Sequence, residues 1–388
     1  MSDEPRETFR SLVASNLELP ANHVSLFARG RVALWAILRA LRVSAGDEVI
    51  LPAFTCVAVP NAIIYAGAKP VWVDIDASTY VVDPRAVEAA IRERTKVILA
   101  QNTFGLSADL ERIAAAAATH GITLVDDCAH GLGGRYRGRP NGSTAPASFF
   151  STQWSKPIST GLGGIAVARD VDVASRIRAL ERSMPEPSAA GTAILQLLIR
   201  ARNWAGSGRM LPVGRATYRW LSHSGLVPGS SNRTELEGTR MPQKYLTRLA
   251  AAQASVGSRQ LRTLDAQVER RRSIGHRYSE WLRSHNLTPA GERPDSMHAF
   301  LRYPLRVRDQ AAFRREATRA RIDLGDWFVS PIHPVVDDLD RWGYRAGSAP
   351  CAEQACREVV NLPTDSSLEE RDIDRILDFL DRHQELIA

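Results

Sequence analysis

The chain has 388 residues, 44% of them hydrophobic and 24% charged, and carries a net charge of +7. That length predicts two domains or one large domain with an appendage, of soluble globular composition. No run of about 18 apolar residues occurs, which excludes a membrane-spanning helix. Residues 1–20 lack the apolar core of a secretory leader, and Cys56, Cys128, Cys351 and Cys356 show neither a disulfide framework nor metal-ligand spacing. A cytoplasmic location is therefore the expectation. The arginines are dispersed and no nucleic-acid module is visible, so the basic balance points away from nucleic acid and toward anionic small molecules drawn to a positive cleft.

From residue 30 to residue 168 helical and strand patterns alternate. "RVALWAILRALRV" has helical periodicity and stops at "SAGDE", before the short strand "EVILP". "VAVPNAIIYAGA" reads as a helix closed by Gly67, and "KPVWVDI" as the next strand. The helix "PRAVEAAIRERT" precedes the strand "KVILAQ", and Ser107 is placed to cap the helix "ADLERIAAAAATH", with Gly121 just past its end. The strands "ITLVDD", "ASFFST" and "GGIAVA" follow. Short apolar strands alternating with amphipathic helices predict an α/β fold, a mostly parallel central sheet with helices on both faces. Such sheets bind ligands at the carboxyl ends of their strands.

Residues 187–234 contain no Asp or Glu but do contain Arg200, Arg202, Arg209, Arg215, Arg219 and Arg233 among aliphatic and aromatic residues. This stretch reads as a variable excursion that packs on a dimer or covers a cleft. The alternative is a peripheral contact with anionic lipid. Residues 245–282 form one long amphipathic helical pattern, with a possible break near Gly257. Beyond it the strand "HAFLRYPLRV" and the helices "QAAFRREATRA" and "RDIDRILDFLDRH" predict a smaller α+β domain. The expected division is a large domain over 1–240 and a long helix with the small C-terminal domain over 241–388.

Lysine occurs at only four positions, Lys69, Lys96, Lys156 and Lys244. Lys69 and Lys96 sit at strand entrances, where an exposed cation is unremarkable. Lys156 follows Ser151, Thr152 and Ser155 and precedes a glycine-rich turn. About thirty residues earlier, "LVDDCAH" ends a strand with Asp126 and Asp127, whose side chains must face opposite ways, and with His130 close behind. A metal site is one reading of these residues, although no further ligand stands at helical or hairpin spacing. An isolated structural lysine is another. A lysine and an aspartate on neighbouring strand ends also suit pyridoxal phosphate (PLP), the lysine as its Schiff-base partner and the aspartate as the group that keeps the pyridine nitrogen protonated.

Taken in order, "GDEVILPAFTCVAVPNAIIYAGAKPVWVDID", "VDDCAHGLGGRYRGRPNG", "SFFSTQWSKPISTGLGGIAVA" and "VVNLPTDSSLEERDIDRILDFL" resemble the DegT/StrS family of fold-type I, PLP-dependent sugar aminotransferases. The resemblance is strong from about residue 26 to about residue 170 and resumes more weakly from about 240. It implies a PLP-binding large domain and a homodimer with the active site between subunits. It also implies amine transfer from glutamate or glutamine to a keto sugar, most often nucleotide-linked. Lys156 then matches the Schiff-base lysine, Asp127 the partner of the pyridine nitrogen, and Asp126 the neighbour facing away. His130 matches the residue near the phenolic oxygen and Ser151 a phosphate-binding hydroxyl. Gly30 and Arg31 match the helix start that cradles the phosphate.

The chain also departs from the family pattern. Many members have a small residue and Thr where Gly30 and Arg31 stand, so a hydroxyl contact gives way to a charged group suited to phosphate. Cys56 replaces a frequent aromatic that stacks on the ring, leaving the thiol or Phe54 for that role. "GTRMPQKYLTRL" lacks the Asn that reaches the partner subunit's phosphate site, leaving Arg240 or Lys244. His333, in "DWFVSPIHP", is expected on the substrate side. Two alternatives to a sugar aminotransferase stand beside this reading: amine transfer to a non-sugar ketone such as a cyclitol, and a PLP-binding regulatory protein with weak turnover.

Overall fold

The computed structural model describes residues 3–205, 233–236 and 238–388. In chain order, α1 (Glu4–Asn16), β1 (Val24–Phe27), α2 (Gly30–Ala40), β2 (Glu48–Pro52), β3 (Thr55–Cys56), α3 (Ala58–Tyr65) and β4 (Lys69–Val73) open the chain. Next come α4 (Pro84–Ala90), β5 (Thr95–Gln101), α5 (Leu110–Thr119), β6 (Thr123–Asp127), β7 (Arg135–Tyr136), β8 (Arg139–Pro140) and β9 (Ala147–Ser151). Then β10 (Gly164–Ala168), α6 (Val171–Ser183) and α7 (Ala189–Ala205) follow. The main sheet has the order β1-β10-β9-β6-β5-β2-β4. From β9 to β4 every pairing is parallel, and β10 joins β9 and β1 antiparallel. The expected mostly parallel α/β sheet is thus present.

Both faces of this sheet are buried, and the two-residue period of a strand divides its side chains between them. Val97, Leu99, Val125 and Phe149 pack on one face with Leu34 and Ile37 of α2, Ile63 of α3 and Ile177 of α6. Ile98, Ala100 and Leu124 pack on the other face with Val87 of α4 and Ile113 of α5. Each such fully buried aliphatic or aromatic side chain contributes about 1.5–3 kcal/mol. Further along the chain, antiparallel strands Tyr303–Arg306 and Val359–Leu362 pack with helices 264–284, 310–319 and 370–382 around Tyr278, Phe313 and Phe379.

Three local expectations are corrected. The cap of α5 is Asp109, whose carboxylate accepts from the Arg112 N–H at 3.3 Å, whereas the Ser107 hydroxyl donates to Asn141 Oδ1 at 2.7 Å. The helix predicted over 84–95 stops at Ala90, because Ile91 takes an extended conformation. The long helical pattern is two helices, 251–261 and 264–284, parted at Arg262 and Thr263 rather than at Gly257. Gly257 lies inside the first of these helices because α1 crosses it there: a Cβ at this position would lie 2.6 Å from the Phe9 ring. Of the acid-free stretch, residues 189–205 form α7, which exposes Ile194 and Leu197, and residues 206–232 lie outside the described residues. Among the described residues no helix is long and apolar enough to cross a membrane.

Alanine has the higher helix propensity, so propensity alone favours Gly257→Ala by up to about 1 kcal/mol. The close approach of Phe9 reverses that sign, and we expect the variant to lose about 1–3 kcal/mol by overpacking. Thermal unfolding of the two proteins side by side decides it; a stabilised variant would show that the α1 crossing yields.

Candidate active site

The carboxyl ends of β6 and β9 lie side by side, with Asp127 in register with Phe149. Asp127 shares the parity of Val125, and Ser151 that of Phe149, so both side chains leave the sheet on the α2 face. Asp126 leaves on the other face, where Asn102 Nδ2 and the Gly142 N–H donate to its two oxygens, each at 2.9 Å. The opposed directions expected of the adjacent aspartates are therefore observed.

After β9 the chain makes a tight excursion that presents Lys156. Thr152 and Gly163 close it through an N–H to carbonyl bond of 3.0 Å, and the Thr152 and Thr160 hydroxyls meet at 2.6 Å. Helix 251–261 clamps the loop from outside: Gln260 bonds both the N–H and the carbonyl of Ser159 at 2.7 Å, and Gln253 Nε2 donates to the Thr160 carbonyl at 3.1 Å. Lys156 then lines one pocket together with Arg29, Gly30, Arg31, Cys56, Ala129, Phe149 and Ser151. Of the sequence-derived candidates, Lys156, Ser151, Gly30, Arg31 and Cys56 are thus brought together directly. No side chain caps α2, and its first residues face this pocket, the usual arrangement for seating an anion on helix N–H groups. Glycine gives the closest approach at position 30, where a Cβ would lie 3.0 Å from the Ser151 Cβ and Ser151 would have to shift.

Asp127 is buried, its Oδ1 accepting from the Ala129 N–H at 2.9 Å. Burial pushes its carboxyl up to about 7, against the opposing pull of the Ala129 N–H and the Lys156 cation. Burial likewise lowers the Lys156 amine to about 8, although Cys56 and Asp127 favour its charged form. The two groups feel one another's charge, and each is displaced toward its neutral state.

His130 is buried beside them. Its Nδ1 accepts from the Phe104 N–H at 3.3 Å, which leaves Nε2 as the protonated nitrogen of the neutral ring. Burial, then the Lys156 and Arg302 cations, hold its pKa well below the ordinary histidine value. The ring stacks on Trp327 with centroids 4.4 Å apart, and Lys156 Nζ lies 4.5 Å from the centroid of that same indole. His333 joins from the short strand Ile332–His333, which pairs in parallel with β3 and sets His333 opposite Cys56. Burial and Lys156 lower its imidazole to about 4, with Asp326 opposing. Phe54 does not take part: it is fully buried and packs on Tyr80, Phe104 and Phe328, so of the two candidates to replace a stacking aromatic only Cys56 reaches the pocket.

Arg31 is not aimed at solvent. Its Nη1 forms an ion pair with Glu235, and both side chains are buried. Arg240 and Lys244 are exposed and do not line this pocket. Sequence reasoning missed Glu235, Tyr245, Trp327 and Arg302. Glu235 did carry one signal, as the first acid after the acid-free stretch; Trp327 lay inside the segment that drew notice to His333.

The DegT/DnrJ/EryC1/StrS aminotransferase family matches residues 7–191 and 215–381 of this chain, and the chain belongs to that family. It is 32% identical over 317 residues to L-glutamine:scyllo-inosose aminotransferase of Streptomyces griseus, a match spanning 80% of this chain and 65% of that protein. It is 26% identical over 363 residues to GDP-perosamine synthase of Caulobacter vibrioides, spanning 93% of this chain and 85% of that protein. Among solved structures, the PLP form of a sugar aminotransferase from Streptococcus pneumoniae superposes with a TM-score of 0.77 at 22% identity, over 100% of this chain and 93% of that one. That last likeness concerns the fold.

Because the Lys156 amine is displaced from 10.5 to about 8, half of it is neutral and nucleophilic near that pH. The rate at which the cofactor-free protein takes up PLP, followed by growth of its visible band, is expected to rise with pH and level off above about 8. A rise continuing toward 10.5 would show an ordinary, water-exposed lysine.

Proposed function

We propose that this protein is a PLP-dependent aminotransferase that moves an amino group from glutamine or glutamate to a keto sugar, most often nucleotide-linked, in amino-sugar or natural-product biosynthesis. The observation that carries the reading is the meeting of Lys156 and Ser151 with the uncapped start of α2 in one pocket, with Asp127 buried on the same sheet face and within reach of the Lys156 charge. The donor set fits the cofactor: an amine for its aldehyde, a buried carboxylate for its ring nitrogen, and a hydroxyl with helix N–H groups for its phosphate. A Cβ at Gly30 would crowd Ser151, the hydroxyl this reading assigns to the phosphate. On this reading Lys156 would hold the cofactor through Nζ and Asp127 would pair with the ring nitrogen. His130 would offer Nε2–H to the phenolic oxygen, and Ser151 with Gly30 and Arg31 would hold the phosphate. Bound PLP supplies an electron sink that lets an amino acid's α-proton leave.

The chain's own part in the reaction is proton movement and orientation. Lys156 Nζ would accept a proton and return it, and an amine displaced to about 8 suits both directions near neutral pH. Asp127 keeps the charge that the ring nitrogen needs once a cation faces it. Cys56 and His333 border the acceptor side, with His333 neutral and able to donate or accept a hydrogen bond. A second copy of the chain would complete the cleft, with residues 1–240 as the cofactor-binding domain and 241–388 as the long helices and small domain.

Relatives support two acceptor classes. GDP-perosamine synthase supports a nucleotide-linked keto sugar. L-glutamine:scyllo-inosose aminotransferase supports a cyclitol ketone, with glutamine as donor. The test is spectroscopic. The PLP-loaded protein should lose its visible band on addition of L-glutamine or L-glutamate and regain it when the right keto acceptor follows, while Lys156→Ala forms no such band. Recovery with a nucleotide-linked keto sugar favours the first class, and recovery with scyllo-inosose the second. A Lys156-dependent band that ignores every amino donor would contradict the aminotransferase reading.

A further inference from the structure

The ion pair between Arg31 and Glu235 joins residues 204 positions apart and stands at the phosphate end of the pocket. Glu235 has no exposed surface, and Arg31 retains only 7%. The same carboxylate accepts from Tyr245 Oη at 2.5 Å and from Tyr65 Oη at 3.3 Å. Its backbone carbonyl accepts from Asn61 Nδ2 at 3.2 Å. Arg29, which also lines the pocket, lies with its Cζ 4.0 Å from the centre of the Tyr245 ring. The pinned carboxylate therefore belongs to the wall behind the cradle.

This arrangement has a consequence for any anion seated on α2. Arg31 is the second residue of that helix, so its backbone lies at the anion-binding end while its side chain is already neutralised from behind. A phosphate arriving there meets a guanidinium whose charge is already offset by a resident carboxylate, and the two anions then compete for it. In a poorly screened interior, repulsion between two such anions persists over several ångströms. Holding Arg31 without a counter-ion would leave an uncompensated buried charge, so Glu235 serves the empty cradle while weakening its hold on phosphate.

Resting on the PLP reading above, we propose that Glu235 is a resident counter-anion of the phosphate cradle, a positioning residue that keeps Arg31 neutralised and aimed when phosphate is absent and lowers the affinity of the cradle for phosphate. The effect is confined to the phosphate end. It acts on PLP and on inorganic phosphate, and spares pyridoxal, which carries the same aldehyde and ring without the phosphate.

The test compares PLP and pyridoxal on the full-length, cofactor-free protein at fixed pH and ionic strength, each titrated by its visible band. Glu235→Gln keeps the shape and an acceptor oxygen for Tyr245 and Arg31 but removes the charge. It should raise the preference for PLP over pyridoxal by about tenfold, the order expected for removing one unit charge within about 10 Å in a protein interior, with pyridoxal affinity unchanged. Glu235→Ala, which opens space for water beside Arg31, should shift the preference in the same direction. In both variants inorganic phosphate should compete with PLP more strongly than in the wild type. A preference that stays put or falls in the folded variants would overturn the proposal and leave Glu235 as a tether only. Failure of pyridoxal and PLP alike to form a Lys156-dependent band in the wild type would instead sink the cofactor reading itself, a distinguishable result.

Discussion

A buried acid and a half-buried amine stand within reach of one another's charge, and the rest of the structure is arranged to keep them there. Neither Asp127 nor Lys156 would choose such a place alone, because removing a charge from water is costly unless a partner or a hydrogen bond compensates. The protein leaves the compensation partial. One backbone N–H serves Asp127, and mutual attraction serves both, so the carboxyl is displaced to about 7 and the amine to about 8. Groups poised this close to neutrality change protonation at little cost, which is the property proton-transfer chemistry requires.

Keeping them in place is the work of the sheet and of one helix far along the chain. Parallel pairing of β6 with β9 brings Asp127 beside Phe149, and strand alternation turns Asp127 and Ser151 to the face that α2 covers. The excursion carrying Lys156 has no regular structure of its own. It depends on the Thr152–Thr160 hydroxyl contact and on the clamp from Gln253 and Gln260. Helix 251–261 in turn lies against α1, seated through the contact of Gly257 with Phe9. Lys156 is thus referenced to the N-terminal helix through two intermediaries, and Asp127 to the sheet.

How much of this was legible in the sequence follows from the range of each interaction. Strands β2, β4, β5, β6, β9 and β10 were legible because each is a short apolar run between helical patterns, and a sheet buried on both faces needs such runs. Lys156, Asp127 and Ser151 were legible because the motifs that present them are local and ordered. The cap of α5 was misplaced by two residues because Ser107 and Asp109 are both good caps, and a tertiary partner, Asn141, claimed Ser107. A break in the long helix was left open at Gly257, where propensity is weakest, yet that glycine answers to Phe9 on a distant helix. Glu235 and Trp327 were illegible for the same reason. Each owes its role to contacts with residues about 200 positions away, Arg31 and His130.

The central claim is that Lys156 is the residue that holds the cofactor. Borohydride reduction of the PLP-loaded protein followed by peptide mapping tests it most directly, because reduction fixes the cofactor to whichever amine holds it. The account predicts stoichiometric label on the peptide containing Lys156 and none on those containing Lys69, Lys96 or Lys244. Label on another lysine, or scattered label that survives in Lys156→Ala, would contradict it.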